Sequence, residues 1–121
     1  MLDHIIISVS DISVSRTFYE QALAPLDYQI VMEYGEGCGL GVMQKPDLFV
    51  RQGEAVKPPV HIAFTARDRE TVDAFHAAAL AAGGIDNGAP GLRPDYHPSY
   101  YGAFVLDPDG HNIEAVCHRN L

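Results

Sequence analysis

The stretch His4-Ile5-Ile6-Ile7-Ser8-Val9 has a counterpart 57 residues later, His61-Ile62-Ala63-Phe64-Thr65-Ala66. The same shift places further residues on their likes, the pairs being Asp11 and Asp68, Phe18 and Phe75, Ala22 and Ala79, and Leu23 and Leu80. Self-similarity at a fixed spacing indicates one supersecondary unit used twice. Because each unit begins with a histidine on its first predicted strand, the leading hypothesis is a metal site shared by the two units.

The length of the chain limits how these units are arranged. A chain of 121 residues supports one hydrophobic core and is too short for two independent ones. We therefore predict a single domain over 1–121, with a first unit at 1–53, a linker at 54–59 and a second unit at 60–121. The two units either pair within one chain or exchange halves with a second copy.

Each unit follows the predicted order β-α-β-β-β, an α+β fold class. In the first unit the pattern predicts a strand at 2–9, a helix at 13–23 and strands at 28–33, 38–43 and 47–52. In the second unit it predicts a strand at 60–66, a helix at 68–82 and strands at 100–106 and 112–118, with at most one weak strand in the Pro/Gly-rich segment 87–99. The helix stripes that we expect to pack on the sheet are Val14, Phe18 and Ala22, and Val72, Phe75 and Ala79.

Charge and hydropathy exclude two classes of partner. The formal net charge of -8 removes the electrostatic attraction on which nucleic-acid binding depends. No apolar run approaches the roughly 18 residues of a membrane span, so we expect no membrane partner and a cytoplasmic protein. Cys38 and Cys117 are expected to be buried reduced thiols, since a disulfide would require their strands to be adjacent.

Strand alternation indicates where chemistry can occur, because side chains two apart share a face. The uniformly apolar face of each first strand should meet the helices, so His4 and His61 point to the other side. On the last predicted strand Glu114 has the same parity. Two imidazoles and one carboxylate suit zinc, nickel, cobalt, manganese or iron, and they leave coordination positions open. The alternative is that each histidine is only a polar residue at the start of a strand.

The segment Phe104-Val105-Leu106-Asp107-Pro108-Asp109-Gly110-His111-Asn112-Ile113-Glu114 resembles the strand-turn-strand that carries the metal-binding glutamate of the vicinal oxygen chelate superfamily. Leu2-Asp3-His4-Ile5 and Val60-His61-Ile62-Ala63-Phe64 resemble that superfamily as well. It includes glyoxalase I, extradiol dioxygenases, fosfomycin-resistance enzymes and bleomycin-resistance proteins. The resemblance covers essentially the whole chain and implies two βαβββ modules that form a cupped mixed sheet with helices on the outside.

The resemblance implies His4, His61 and Glu114 as metal ligands. Glyoxalase I uses a fourth ligand from the last strand of the first module, where a carboxylate serves as proton shuttle. Matching 47–52 to the strand of Glu114 places Phe49 at that position, and only a shift of register would bring Gln52 or Glu54 there. This departure favours the three-ligand relatives.

The Pro/Gly-rich segment supplies the candidate catalytic residues. A long irregular loop beside a cleft often carries acid-base groups. His97 is a candidate acid or base, and Tyr101 and Tyr100 are candidates to hydrogen-bond a metal-bound oxygen. For His97, which lies between Tyr96 and Pro98, the alternative is a surface residue. Of the other histidines, we expect His76 at the edge of packing, His111 in solvent and His118 near the chain end.

The function that the resemblance implies is a divalent-metal-dependent enzyme that chelates vicinal oxygens of a small oxygen-rich metabolite. Lyase, isomerase, transferase and ring-cleaving dioxygenase chemistry all use that device, and the sequence does not choose among them. The alternative is a non-catalytic protein of the bleomycin-resistance type that binds a small molecule or drug. By resemblance we also expect a homodimer.

Overall fold

The fold is an α+β arrangement of eight strands and two α-helices, in a computed structural model that describes residues 1–120. The first half contains β1 (Ile5–Val9), α1 (Ile12–Ala22), a 3₁₀ turn (Ala24–Leu26), β2 (Gln29–Tyr34), β3 (Gly37–Val42) and β4 (Lys45–Gln52). The second half contains β5 (His61–Thr65), α2 (Arg69–Ala81), β6 (Ile85–Leu92), β7 (Tyr101–Leu106) and β8 (Asn112–Cys117). The α+β class and the repeated order of elements are confirmed.

The strands form two sheets of four, ordered β1-β4-β3-β2 and β5-β8-β7-β6. In each sheet the first and last strands of the repeat pair in parallel, β1 with β4 and β5 with β8, and the other neighbours are antiparallel. Within residues 1–120 no ladder joins β1 to β5, so the expected cupped sheet consists of two separate halves. One edge strand of each sheet follows or carries the repeated histidine, β1 after His4 and β5 with His61.

An aspartate starts each helix at the repeated position. The Asp11 carboxylate accepts hydrogen bonds from the backbone N–H groups of Ser13 and Val14. The Asp68 carboxylate accepts one from the backbone N–H of Thr71. These bonds satisfy amides that have no partner inside the helix, which explains why the repeat includes an aspartate after its first strand.

The core lies between the helices and the sheets. Phe18 and Phe75 are both fully buried, as the repeat predicts, and Ile7 and Phe64 are buried with them. Val14 is half exposed, however, and Tyr19 is fully buried together with Phe18 and Ala22. The predicted stripe is wrong at Val14 because α1 packs on α2 as well as on its own sheet, which rotates the buried face.

Two residues near the turn after β7 connect the modules. The Tyr19 hydroxyl donates a hydrogen bond to the buried Asp107 carboxylate, and the Ser10 backbone N–H donates to Asp109 over 3.1 Å.

His111 was expected in solvent and is fully buried instead. Its Nδ1 accepts a hydrogen bond from the Val60 backbone N–H at 2.9 Å, and the His111 backbone N–H donates to Asp107 at 2.8 Å, so the turn folds onto the residue before β5.

The segment after α2 departs from the prediction. A strand over Ile85–Leu92 begins before the predicted segment 87–99. Its pairing with β7 shifts register twice around Gly88, whose φ of 153° suits glycine. These irregularities interrupt the alternation that would have indicated a strand.

Cys38 and Cys117 are both buried free thiols, as expected. Neither helix in residues 1–120 has the length and apolar character needed to cross a membrane.

Replacing Tyr19 with phenylalanine should test the connection between the modules. The change removes one hydrogen-bond donor from the buried Asp107 carboxylate, and an unsatisfied buried polar group costs about 1–3 kcal/mol. Urea unfolding should show that loss for Tyr19→Phe and almost none for Tyr34→Phe, since Tyr34 is exposed. Equal stability of the two variants would contradict the role given to Tyr19.

Candidate metal centre

The strand register shows that the two modules carry different residues at equivalent positions. Ala63 of β5 lies beside Glu114 of β8. The equivalent residue of β1, Ile6, lies beside Phe49 of β4. Phe49 therefore occupies the position of Glu114 in the first module, as the sequence alignment predicts, and neither Gln52 nor Glu54 takes that place.

His61 and Glu114 are in direct contact. His61 Nε2 lies 2.8 Å from Glu114 Oε1. The imidazole is half exposed, whereas the carboxylate is only 1% exposed. The pair thus places a half-exposed imidazole next to a buried carboxylate, on the face of the sheet that the alternation of β5 and β8 predicts.

The second oxygen of Glu114 is held by Tyr100, which lies immediately before β7. The Tyr100 hydroxyl donates a hydrogen bond to Glu114 Oε2. Burial, followed by this bond to the carboxylate, raises the pKa of Tyr100 above its ordinary value. The hydroxyl therefore stays protonated and keeps donating.

His4 lies apart from this pair within the chain. Its Nδ1 is 2.6 Å from Asp3 Oδ1, and its ring meets Phe49 edge-on with 5.3 Å between centroids. The structure does not bring His4 together with His61 and Glu114. Among residues 1–120 no three His, Cys, Asp or Glu side chains are grouped so that they could hold a metal ion.

His97 forms a pair with His118 beside Tyr100. His97 Nε2 lies 2.7 Å from His118 Nδ1, and the Ser99 backbone N–H donates to His97 Nδ1 over 3.1 Å. Because Nδ1 of His97 is an acceptor, its proton sits on Nε2 and is donated to His118. The edge of the Tyr100 ring contacts both imidazoles, so the predicted candidate His97 does lie next to the Glu114 group.

Tyr101 is placed on the other side of the sheet. Its hydroxyl donates to Asp73 of α2 at 2.7 Å, and the Arg69 guanidinium lies over its ring. Neighbouring residues of an extended chain face opposite sides. The sequence favoured Tyr101 over Tyr100, whereas Tyr100 is the tyrosine that contacts Glu114.

Comparison with known proteins identifies the family. The model of the Glyoxalase/Bleomycin resistance protein/Dioxygenase superfamily matches residues 1–115. The chain belongs to this superfamily. A search of the curated proteins found no match.

Solved structures agree with the superfamily assignment. A glyoxalase/bleomycin resistance protein from Albidiferax ferrireducens T118 is 27% identical, with a TM-score of 0.81 over 97% of this chain and 98% of that one. A family enzyme from Burkholderia phytofirmans PsJN is 20% identical, with a TM-score of 0.76 over 97% and 98% of the two chains. Lactoylglutathione lyase from Agrobacterium tumefaciens is 16% identical, with a TM-score of 0.69 over 97% and 92%. The last two likenesses concern the fold alone.

Sequence reasoning missed Asp47 of β4. Asp47 has the parity of Phe49 and lines a cavity of about 410 Å³ that His4 and Phe64 also line. The Tyr28 hydroxyl donates to its carboxylate at 2.9 Å, and burial raises the pKa of Tyr28. The predicted strand begins at 47, whereas β4 begins at Lys45, so Asp47 lies inside the strand and shares the alternation of Phe49.

The donor set present fits a divalent transition metal in part. An imidazole nitrogen and a carboxylate oxygen already lie side by side, and these are the donors that such ions take in superfamily-like sites with open positions. Residues 1–120 bring no third donor to this pair, and His4 on the other sheet has the chemistry of such a donor.

Replacing Phe49 with glutamate should strengthen metal binding. The change places a carboxylate beside His4, as Glu114 lies beside His61, and an added anionic ligand should raise affinity for Ni²⁺ or Zn²⁺ by about tenfold or more. Isothermal titration would measure the change, with Phe49→Gln as the control of similar size and no charge. An affinity no higher than that of Phe49→Gln would contradict the equivalence of Phe49 and Glu114.

Proposed function

We propose that this chain is a divalent-metal-dependent enzyme acting on a small oxygen-rich metabolite. The observation that carries the proposal is the contact between His61 Nε2 and Glu114 Oε1 at 2.8 Å, with the carboxylate buried and the imidazole open to the cleft. A carboxylate in such a position is well suited to a cation, since burial makes its unpaired charge costly.

The third ligand in this proposal is His4 of a second copy, so that a homodimer forms the complete site. Within the chain α1 packs on α2, which leaves the opposite faces of both sheets uncovered. His4 and Phe49 lie on one open face, and His61 and Glu114 lie on the other. In a dimer with two-fold symmetry, the face of each copy that carries His4 would meet the face of the other copy that carries His61 and Glu114. The dimer would then contain two equivalent sites.

When bound, the metal would act as a Lewis acid toward two adjacent oxygens of the substrate. His4, His61 and Glu114 would hold it. His97 and His118 lie beside the site as a hydrogen-bonded pair, and imidazole is the side chain that most often serves as a general acid or base. The superfamily includes proteins named as a lyase and as an oxidase, and lyase, isomerase, transferase and dioxygenase reactions are all consistent with this arrangement.

A second candidate function is binding of a small molecule without catalysis. Two observations favour it, Phe49 at the position of a fourth ligand and the cavity near His4. That cavity is lined by Asp3 and Asp47 and by no lysine or arginine, and the chain has a net charge of -8. Such a protein would bind a cationic ligand and would not depend on a metal.

Elemental analysis distinguishes the two functions. Protein purified without a chelator or an affinity-tag metal should carry about one transition-metal ion per chain, as expected for a site with two histidines and a carboxylate. His61→Ala should lose it, because a ligand is removed, whereas His76→Ala should retain it, since His76 bonds Asp86 on the helix side. The binding function would be favoured if the wild-type protein contains no metal and does not bind added Ni²⁺, Zn²⁺, Mn²⁺, Co²⁺ or Fe²⁺.

Mixing two inactive variants tests whether the site is shared between copies. His4→Ala and His61→Ala should each lose the metal alone. Unfolding and refolding them together should restore about a quarter of the wild-type metal, because half of the dimers are mixed and each mixed dimer has one intact site. No recovery, with dimers present by light scattering, would show that each site uses residues of a single chain.

A further inference from the structure

We propose that Tyr100 is a positioning residue for Glu114. Its hydroxyl donates a hydrogen bond to Oε2 of Glu114, so that Oε1 alone is left to contact His61. This inference rests on the proposed metal site, and it assigns Tyr100 a role different from contact with a substrate oxygen.

The two oxygens of Glu114 have separate partners. Oε1 contacts His61 on β5, and Oε2 accepts from Tyr100 before β7. Both strands flank β8, so the carboxylate is held from each side and is 1% exposed. A carboxylate fixed in this way cannot turn to offer both oxygens to one ion.

Gly102 makes the contact between Tyr100 and Glu114 possible. A Cβ built on Gly102 would lie 3.1 Å from Glu114 Oε2 and 3.3 Å from Tyr100 Cε1. Both distances are tighter than ordinary van der Waals contacts, so a side chain there would push the two groups apart. The glycine is required for space, since its backbone is not among those with positive φ.

Three aromatic side chains hold the Tyr100 ring in place. Its centroid lies 4.8 Å from that of Tyr96, 5.4 Å from His97 and 5.2 Å from His118, all in edge-to-face geometry. The two histidines bond each other and do not bond the hydroxyl. The ring is therefore oriented by packing. Within residues 1–120, the hydrogen bond of its hydroxyl is directed at Glu114.

The structure gives Tyr100 a role different from that of His97. The Tyr100 hydroxyl directs its proton at the buried Glu114 carboxylate, so that proton is not aimed at a substrate. Tyr100 acts through Glu114, and the acid-base role is left to the His97–His118 pair.

The test compares Tyr100→Phe with Tyr101→Phe. Each change removes one hydrogen bond between a tyrosine and a carboxylate, and the two bonds lie on opposite sides of the sheet. Tyr100→Phe should bind Co²⁺ about 10- to 100-fold more weakly, the usual effect of losing a partner of a metal ligand. Its bound Co²⁺ should also give an altered visible absorption spectrum, because the carboxylate is free to rotate. Tyr101→Phe should match wild type in both. Gly102→Ala should change the spectrum in the same direction as Tyr100→Phe.

A metal-free measurement tests the hydrogen bond by itself. Urea unfolding of wild type, Tyr100→Phe, Glu114→Gln and the double variant forms a double-mutant cycle. The two substitutions should be non-additive in their effect on the unfolding equilibrium if the hydroxyl and the carboxylate are bonded. Additive effects would overturn the inference.

The outcomes separate the two proposals. If wild type binds Co²⁺ and Tyr100→Phe gives the same affinity and spectrum, the inference fails and the proposed function stands. If wild type binds no Co²⁺ while the cycle shows coupling, the proposed function fails, and the positioning role for a metal ligand fails with it. Weaker binding and a changed spectrum in Tyr100→Phe alone support both.

Discussion

The buried carboxylate of Glu114 is the constraint on which the second sheet depends. A carboxylate at 1% exposure is costly unless hydrogen bonds compensate its lost hydration. Its two partners come from β5 and from the residue before β7, on either side of β8. A slip of one residue in either pairing would send His61 or Glu114 to the opposite face. The site and the register of this half of the protein therefore depend on the same contacts.

The first sheet uses the equivalent position differently. Phe49 replaces the carboxylate, and its ring lies over Gly39, whose added Cβ would come within 2.8 Å of it. Tyr34 covers Gly37 in the same way. Removing side chains from β3 thus lets two aromatic rings lie on the sheet where the second module keeps polar groups. The two modules share their strand order and the leading histidine, but the first carries Phe49 where the second carries the carboxylate that contacts His61.

The features predictable from sequence are those that depend on local periodicity. Alternation along β5 and β8 was enough to place His61 and Glu114 on one face, and the repeat located Phe18, Phe75 and the capping aspartates. The errors concern contacts between elements distant in the chain. Tyr19 is buried in place of Val14 because α1 packs against α2. His111 is buried because the turn after β7 packs on Val60, the residue before β5. The choice of Tyr100 over Tyr101 required knowing where β7 begins, and Asp47 was missed for the same reason at the start of β4.

A site divided between two copies has a thermodynamic consequence. The packing of α1 on α2 and the buried hydrogen bond from Tyr19 to Asp107 join the modules within the chain, and neither involves a proposed metal ligand. In the proposed dimer, a second copy would cover the open faces that carry His4 and His61. An ion that binds the assembled site and not the single chain favours the dimer by mass action, and the dimer in turn raises the apparent affinity for the ion. Metal occupancy and protein concentration are therefore coupled in the proposed assembly, whereas a site within one chain would bind its ion independently of concentration.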